Sequence, residues 1–298
     1  MKLINRTGAL MVKYDMDLYK ACDMLIESGV DGLDLIFPDD HYQKMPENKE
    51  FYTDLRKYVE DKGLYFSQAH APAPSSDKDE AKSESLFRDI VSTMERASWA
   101  GVRNIVVHPC QHLYYVDKGV PEYLFEYNMK FFRKLIPYAE EYGITVAIEN
   151  MWQWYKRDLP DTIGHSTCSR PAEMIKYVDE LNHPLMKCCL DIGHTAVVRE
   201  QPDEFIRALG KDRLACLHVH DVDGIDDSHT LPYFGIVRWQ QVMEALAEID
   251  YKGDLTFEAC GFLRDKPIEL YPQYLKLMEQ TGRHLISIFD NAKKECAR

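Results

Sequence analysis

Short apolar segments typical of buried strands alternate with longer segments of helical periodicity along the whole chain. Eight such pairs can be counted, with strands predicted at 3–10, 32–36, 64–70, 104–108, 145–149, 187–191, 214–218 and 255–258. The helices are predicted at 17–27, 49–62, 82–99, 122–142, 171–182, 203–209, 239–249 and 269–280. This alternation is typical of a parallel sheet covered by helices, and eight units close into a TIM barrel.

The same rhythm predicts one domain. Barrels of this class run to roughly 250 residues or more as single domains, so a length of 298 residues requires no division. No Pro/Ser-rich linker or low-complexity tract interrupts the alternation. We therefore predict a single (β/α)8 TIM-barrel domain over 1–298, with the barrel at about 3–283 and a C-terminal extension at 284–298.

Composition excludes some classes of partner. Asp and Glu outnumber Lys and Arg by 49 to 36, and a net charge of -13 repels phosphate backbones and anionic lipid heads. No stretch approaches the roughly 18 uninterrupted apolar residues of a membrane span. The eight cysteines are scattered and form no CxxC pair, which is typical of reduced thiols. We therefore expect a cytoplasmic protein that binds neither nucleic acid nor membranes.

Potential metal ligands stand at the ends of six consecutive predicted strands. In order along the chain they are His70, His108, Glu149, Asp191, His218 and Glu258. The carboxyl ends of TIM-barrel strands surround one mouth of the barrel, where catalytic groups are found. Charged groups that converge in a confined space are costly unless they are compensated, and a shared cation is the simplest compensation. The pattern therefore predicts a metal site at this mouth.

Two local motifs bring further side chains toward the same mouth. Asp191 and His194 are three residues apart, with Gly193 allowing a tight turn between them. His218 and His220 alternate along an extended segment and so point to one face. Both pairs are expected to reach the site.

Taken together, these segments resemble the xylose isomerase-like TIM barrels, a superfamily that includes sugar-phosphate isomerases, ketose epimerases and endonuclease IV. The resemblance rests on His-Pro at 108–109, Ile-Glu-Asn at 148–150, Leu-Asp-Ile-Gly-His at 190–194, His-Val-His-Asp at 218–221, Asp-Ser-His at 227–229 and Phe-Glu at 257–258. It implies that one divalent cation is bound by four residues and that His194 lies close to the substrate. The four implied ligands are Glu149, Asp191, His218 and Glu258.

The resemblance to endonuclease IV implies additional metal or substrate ligands. His70 and His108 stand beside Glu149, and a third cluster would contain His194, Asp227 and His229, with His220 nearby. A multinuclear site is therefore left open. Ketose 3-epimerases of this superfamily carry an arginine after the seventh-strand histidine and a second glutamate after the fifth-strand one, which positions 220–224 and 150–155 lack.

Three carboxylates and one imidazole form a hard ligand set, for which manganese is the first expectation and cobalt, magnesium and zinc are alternatives. No organic cofactor is expected. Such a cation can chelate a sugar carbonyl and its neighbouring hydroxyl and stabilise an enediolate. Glu149 and Glu258 are then the predicted proton carriers, with His194 or His220 steadying a substrate oxygen. Trp152 is a candidate platform for stacking on the sugar.

These predictions favour a divalent-metal-dependent isomerase or epimerase of a sugar or sugar derivative, acting by proton transfer through a metal-stabilised enediolate. The alternatives are a metal-dependent phosphodiester hydrolase of the endonuclease IV type, a lyase or glycoside-cleaving enzyme acting on an oxidised sugar, and a non-catalytic sugar-binding or scaffold barrel. The expected partner is a small-molecule carbohydrate. Barrels of this kind often associate, so a homo-oligomer is also an expectation.

Overall fold

The computed structural model describes residues 1–13, 17–37, 45–154 and 163–296. Its strands are β1 (Leu3–Arg6), β2 (Gly32–Ile36), β3 (Phe66–His70), β4 (Asn104–Val107), β5 (Thr145–Glu149), β6 (Trp152–Trp154), β7 (Ile163–His165), β8 (Met186–Asp191), β9 (Leu214–His218) and β10 (Leu255–Phe257). Eight of the described strands form one parallel sheet in the order β10-β1-β2-β3-β4-β5-β8-β9. Between β9 and β10 the barrel closes through Val219, whose N–H donates to the Thr256 carbonyl (2.8 Å) and whose carbonyl accepts from Glu258 (3.1 Å). The predicted TIM barrel is confirmed.

Helices cover the outside of this barrel. They are α1 (Gly8–Lys13), α2 (Leu18–Ser28), α3 (Lys49–Asp61), α4 (Glu80–Trp99), α5 (Val120–Tyr142), α6 (Pro171–Leu181), α7 (Ile192–Val197), α8 (Pro202–Arg213), α9 (Trp239–Glu248), α10 (Cys260–Leu263) and α11 (Tyr271–Cys296). A 3₁₀ turn at Ile268–Leu270 precedes α11. Side-chain oxygens of Asp17, Asn48 and Asp79 cap the first turns of α2, α3 and α4, which satisfies backbone N–H groups that have no helical partner. Within the described ranges, no helix combines the length and apolar character needed to cross a membrane.

The apolar core lies in two places. Most of it fills the space between the sheet and the helices. A smaller cluster of Val106, Ala147, Cys189 and Cys216 fills the barrel itself, where small side chains fit the narrow interior. All eight cysteines are free thiols, and six are buried. The centre of the barrel is therefore packed, and space for a ligand is found at its mouth.

The first predicted strand, 3–10, is too long. β1 ends at Arg6, and α1 begins at Gly8. Thr7 makes the turn, because its hydroxyl donates to the Asp34 carbonyl (3.1 Å) and accepts from the Ile36 N–H (3.2 Å). A short apolar run does not by itself distinguish strand from helix, which explains the error.

Two predicted helices end several residues before the helices of the structure do. The helix predicted at 203–209 extends to Arg213 through Gly210, where the backbone leaves helical geometry. The helix predicted at 269–280 runs to Cys296 and buries Leu285 and Phe289. The boundary predicted between 283 and 284 therefore falls inside α11. The remaining strand bounds differ from the predictions by at most two residues.

A two-stranded hairpin stands apart from the barrel sheet. β6 and β7 pair antiparallel, with Trp152 opposite His165 and Trp154 opposite Ile163. Its strands have three residues each, which is too short for a period-two pattern to be detected. The hairpin follows β5 and projects two tryptophans over the barrel mouth.

The loop between β9 and α9 is anchored by one buried carboxylate. Asp221 is fully buried and accepts hydrogen bonds from the N–H groups of Val222 (2.9 Å), Tyr233 (3.0 Å) and Val237 (3.0 Å) and from the indole of Trp239 (2.8 Å). An ionised carboxylate can accept all four bonds. This loop carries Asp227 and His229, so Asp221 helps to position the mouth of the barrel.

Replacing Asp221 by alanine is expected to lower the free energy of unfolding by about 3 kcal/mol or more, because four donors lose their acceptor and three of them are backbone groups. Urea denaturation followed by circular dichroism measures the change. Asp290→Ala, at an exposed position of α11, is the control and is expected to shift stability by less than about 0.5 kcal/mol. Equal midpoints for the two variants would contradict the anchoring role of Asp221.

Candidate metal centre

Four buried side chains converge at the carboxyl end of the barrel. Glu149, Asp191 and His218 are the last residues of β5, β8 and β9, and Glu258 directly follows β10. Each offers one ligand atom, and these atoms all lie within 4.8 Å of one another. All four residues are buried. The parallel register places Asp191 beside His218, so the sheet itself brings these side chains together.

Glu149, Asp191, His218 and Glu258 form the central group, and the protein compensates their negative charge only in part. The Nδ1 atom of His218 lies 2.9 Å from Oε1 of Glu149 and 2.5 Å from Oε2 of Glu258, so one imidazole is shared among carboxylates. Oε2 of Glu149 and Oε2 of Glu258 are buried and make no aligned hydrogen bond. Buried carboxylate oxygens without donors are costly. A divalent cation fits this donor set, since it would satisfy these oxygens and offset their charge.

Glu149 also belongs to a second group with two histidines. Its Oε2 atom lies 3.0 Å from Nε2 of His108 and 3.5 Å from Nε2 of His70, and the two Nε2 atoms are 3.1 Å apart. Burial lowers the pKa of His70 to about 3, so its imidazole is neutral near pH 7. A neutral imidazole is the form that binds metals. Glu149 therefore stands between two candidate cation positions.

A third group contains His194, His220, Asp227 and His229. Asp227 Oδ2 lies 2.8 Å from Nε2 of His229 and 3.3 Å from Nε2 of His194. The ring of His220 stacks on that of His229 at 3.9 Å between centroids, and its Nε2 lies 3.0 Å from the Asp191 carboxylate. His220 thus links the third group to the central one.

Backbone carbonyls orient three of these histidines. Nδ1 of His70 faces the Ala71 carbonyl (2.6 Å), Nδ1 of His194 the Asn150 carbonyl (2.8 Å) and Nδ1 of His229 the Glu258 carbonyl (3.0 Å). A carbonyl only accepts, so each Nδ1 carries the proton and each Nε2 is presented to the site. This arrangement is common for histidines that bind metals.

The turn after β8 requires glycine for a packing reason. A Cβ atom on Gly193 would overlap the ring of His220. The Leu-Asp-Ile-Gly-His motif therefore places His194 in the site and leaves room for the neighbouring imidazole. Asn150 supports the same turn, because its side chain accepts from the Asp191 N–H (2.7 Å) and donates to the Asp191 carbonyl (3.0 Å).

A cavity of about 630 Å³ opens above these groups. Its size lies within the range of roughly 300–1,000 Å³ that is common for small-molecule sites. Glu149, Glu258 and His194 line it, together with other residues from the loops around the mouth. Asp191 and His218 lie below, with no exposed surface.

The cavity changes the interpretation of two predicted substrate contacts. His220 is fully buried, is not among the described residues that line the cavity, and contacts the Asp191 carboxylate, whereas His194 lines the cavity. Trp152 does line the cavity, but its indole N–H donates to Oδ2 of Asp227 (3.0 Å). The edge of the indole is therefore fixed to the third group.

One charged neighbour of the central group was missed. Arg6, at the end of β1, contacts Glu258 and lines the cavity. The strand-end rule that found the other residues would also have found Arg6, had the first strand been predicted to end at residue 6 rather than 10.

Neighbouring charges set the protonation states of His194, His229 and Glu149. Burial opposes the charged form of His194, but Asp191 and Asp227 outweigh it and raise the pKa of His194 to about 10. Asp227 likewise raises the pKa of His229 well above its usual value. The histidines in turn outweigh burial and lower the pKa of Glu149, chiefly through His218 and His108. At pH 7 the metal-free protein therefore carries protons on His194 and His229 and none on Glu149.

The sequence matches a known family of TIM barrels. The family of xylose isomerase-like TIM barrels matches residues 22–281, and the chain belongs to it. The predicted resemblance is thereby confirmed.

Several proteins to which the chain is similar are sugar epimerases by name. A D-psicose 3-epimerase of Enterocloster bolteae is 25% identical over 220 residues, which cover 70% of this chain and 66% of that protein. The solved structure of a D-tagatose 3-epimerase-like protein has a TM-score of 0.75 at 22% identity, covering 98% of this chain and 99% of that one. An IOLI protein with a bound zinc atom has a TM-score of 0.73 at 19% identity, with coverage of 98% and 99%.

Metal binding at the third group is expected to release about two protons, because His194 and His229 must lose theirs to act as ligands. The apparent affinity should therefore rise with pH between 6 and 8. Calorimetric titration with Mn²⁺ or Zn²⁺ in two buffers of different ionisation enthalpy measures the proton count. His229→Ala is expected to remove about one proton from that count. A binding heat that does not depend on the buffer would contradict the assignment of His194 and His229 as protonated ligands of the third group.

Proposed function

We propose that the protein is a divalent-metal-dependent epimerase or isomerase of a sugar or sugar derivative. The observation that carries this proposal is the pair of buried glutamates, Glu149 and Glu258, which belong to one candidate cation site and both line the same cavity. Epimerisation or isomerisation next to a carbonyl requires one group to remove a proton and a group to return it. Sugar epimerases among the relatives support this class of reaction.

Glu149, Asp191, His218 and Glu258 would hold the cation, and manganese is favoured because three of the four ligands are carboxylates. Cobalt, magnesium and zinc remain alternatives, and no organic cofactor is required. When bound, the cation would supply a Lewis acid that polarises the substrate carbonyl. The free thiols fit the predicted cytoplasmic location.

Glu149 is ionised, because the neighbouring histidines outweigh burial and lower its pKa, and an ionised carboxylate can accept a proton. Glu258 reaches the cavity from the end of β10, and its contacts with Arg6 and His218 fix its orientation. The two carboxylates come from strands that are not neighbours in the barrel sheet. This separation of their strands supports the proposal that they act on the two faces of one substrate carbon.

Other cavity residues would bind and shield the substrate. His194 presents Nε2 toward the cavity and can contact a substrate oxygen. Trp152 and Trp154 line one side of the cavity, and Ile36 and Phe37 line it as well. Apolar and aromatic walls suit the C–H face of a sugar and exclude water from the proton-transfer step.

Glu258→Gln is expected to slow exchange of the substrate's α-hydrogen with solvent deuterium by roughly 10²–10⁴-fold, because glutamine cannot carry the proton. Proton NMR in D₂O measures the exchange on a panel of ketoses and their acidic derivatives, and elemental analysis checks that metal is retained. Glu126→Gln, at an exposed position of α5, is the control and should keep the wild-type rate. Normal exchange by metal-loaded Glu258→Gln would refute the assigned role.

A second candidate function is a phosphodiester hydrolase of the endonuclease IV type. The observation in its favour is the presence of three candidate metal groups, two of which share Glu149. Three cations could together hold a phosphate and activate water. The net charge of -13 disfavours a nucleic-acid substrate. Cleavage of an abasic DNA duplex by the zinc-loaded protein would establish this function in place of the first.

A further inference from the structure

A single arginine stands at the edge of the candidate metal centre. Of the described residues that line the main cavity, Arg6 is the only lysine or arginine, whereas Glu149, Asp227 and Glu258 are acidic. One of its Nη atoms contacts Glu258. A guanidinium has five N–H donors, so the contact with Glu258 leaves other Arg6 donors that are not paired with a described carboxylate.

A second cavity of about 280 Å³ lies on the other side of Arg6. Arg6 and Ile36 line both cavities, so the two are adjacent. The remaining walls of the second cavity are Gly8, Ala9, Cys260, Leu263, Arg264 and Tyr271. None of these described residues is an aspartate or a glutamate. In a chain with 49 acidic and 36 basic residues, a cavity whose described walls contain two arginines and no carboxylate is unusual.

The second arginine of this cavity is available to a ligand. Arg264 directly follows α10, and it is exposed. Within the part of the chain that the structure describes, no carboxylate forms an ion pair with it. The hydroxyl of Tyr271 is already used, because it donates to the Leu263 carbonyl (3.0 Å). The polar character of the cavity therefore comes mainly from two guanidinium groups among apolar walls.

We propose that this second cavity binds the anionic end of the substrate, which is then a sugar acid or a sugar phosphate rather than a neutral ketose. Guanidinium groups bind carboxylates and phosphates through paired hydrogen bonds. The carboxylates of the main cavity repel such a group, so the anion enters the second cavity and the carbonyl end of the sugar faces Glu149 and Glu258. This inference rests on the proposed function and adds the class of substrate.

The test compares three ketoses that differ only at carbon 6: D-fructose, D-fructuronate with a terminal carboxylate, and D-fructose 6-phosphate. Calorimetry measures their binding to the metal-loaded protein at low ionic strength. At least one of the two anions is expected to bind at least tenfold more tightly than D-fructose. The anion that does so distinguishes a sugar acid from a sugar phosphate.

Arg264→Gln is the decisive variant, because Arg264 contacts none of the candidate metal ligands. It should weaken binding of the preferred anion at least tenfold more than it weakens binding of D-fructose. Arg133→Gln, which removes the same charge from an exposed position of α5, should keep the preference. Equal binding of the three sugars by the wild-type protein, or a preference that survives in Arg264→Gln, would overturn the proposal.

Exchange of the substrate's α-hydrogen with solvent deuterium distinguishes a failure of this inference from a failure of the proposed function. An anion preference that depends on Arg264, without exchange on any of the three sugars, would support the anion site and count against the epimerase. Exchange on D-fructose without an anion preference would support the epimerase and overturn the anion site.

Discussion

The convergence of three carboxylates on the imidazole of His218 is the interaction on which the carboxyl end of the barrel depends. Glu149, Asp191 and Glu258 are buried there, where repulsion between like charges is weakly screened. The surrounding side chains respond to this charge, since His108 approaches Glu149, His220 approaches Asp191 and Arg6 contacts Glu258. The protein thus supplies partial compensation, and a bound cation would supply the rest.

The fold and the central group could be predicted from the sequence for one physical reason. Parallel strands that close a barrel deliver their last residues to a common rim, so the chemistry of the rim follows from the ends of the apolar segments. Glu149, Asp191 and His218 were predicted as strand ends and are strand ends. The hairpin of β6 and β7 could not be predicted in this way, because its strands are too short to show a period.

Arg6 and Asp221 were missed for different reasons. The apolar residues after Arg6 hid the end of β1, because a short apolar run is compatible with both strand and helix. Asp221 lies beside His220 in a motif of metal-ligand type, yet its four hydrogen bonds hold a loop. Only tertiary contacts distinguish such a structural carboxylate from a ligand. Tertiary contacts were also needed to show that His220 is fully buried and is not among the described residues that line the cavity.

We propose that the four converging side chains bind a divalent cation at the floor of the cavity. Anomalous X-ray diffraction from crystals grown with Mn²⁺ locates the bound ion. A manganese peak is expected at bond lengths of roughly 2.0–2.3 Å from Glu149, Asp191, His218 and Glu258. A fully loaded crystal with no peak among these four side chains, or with manganese bound only elsewhere, would contradict it.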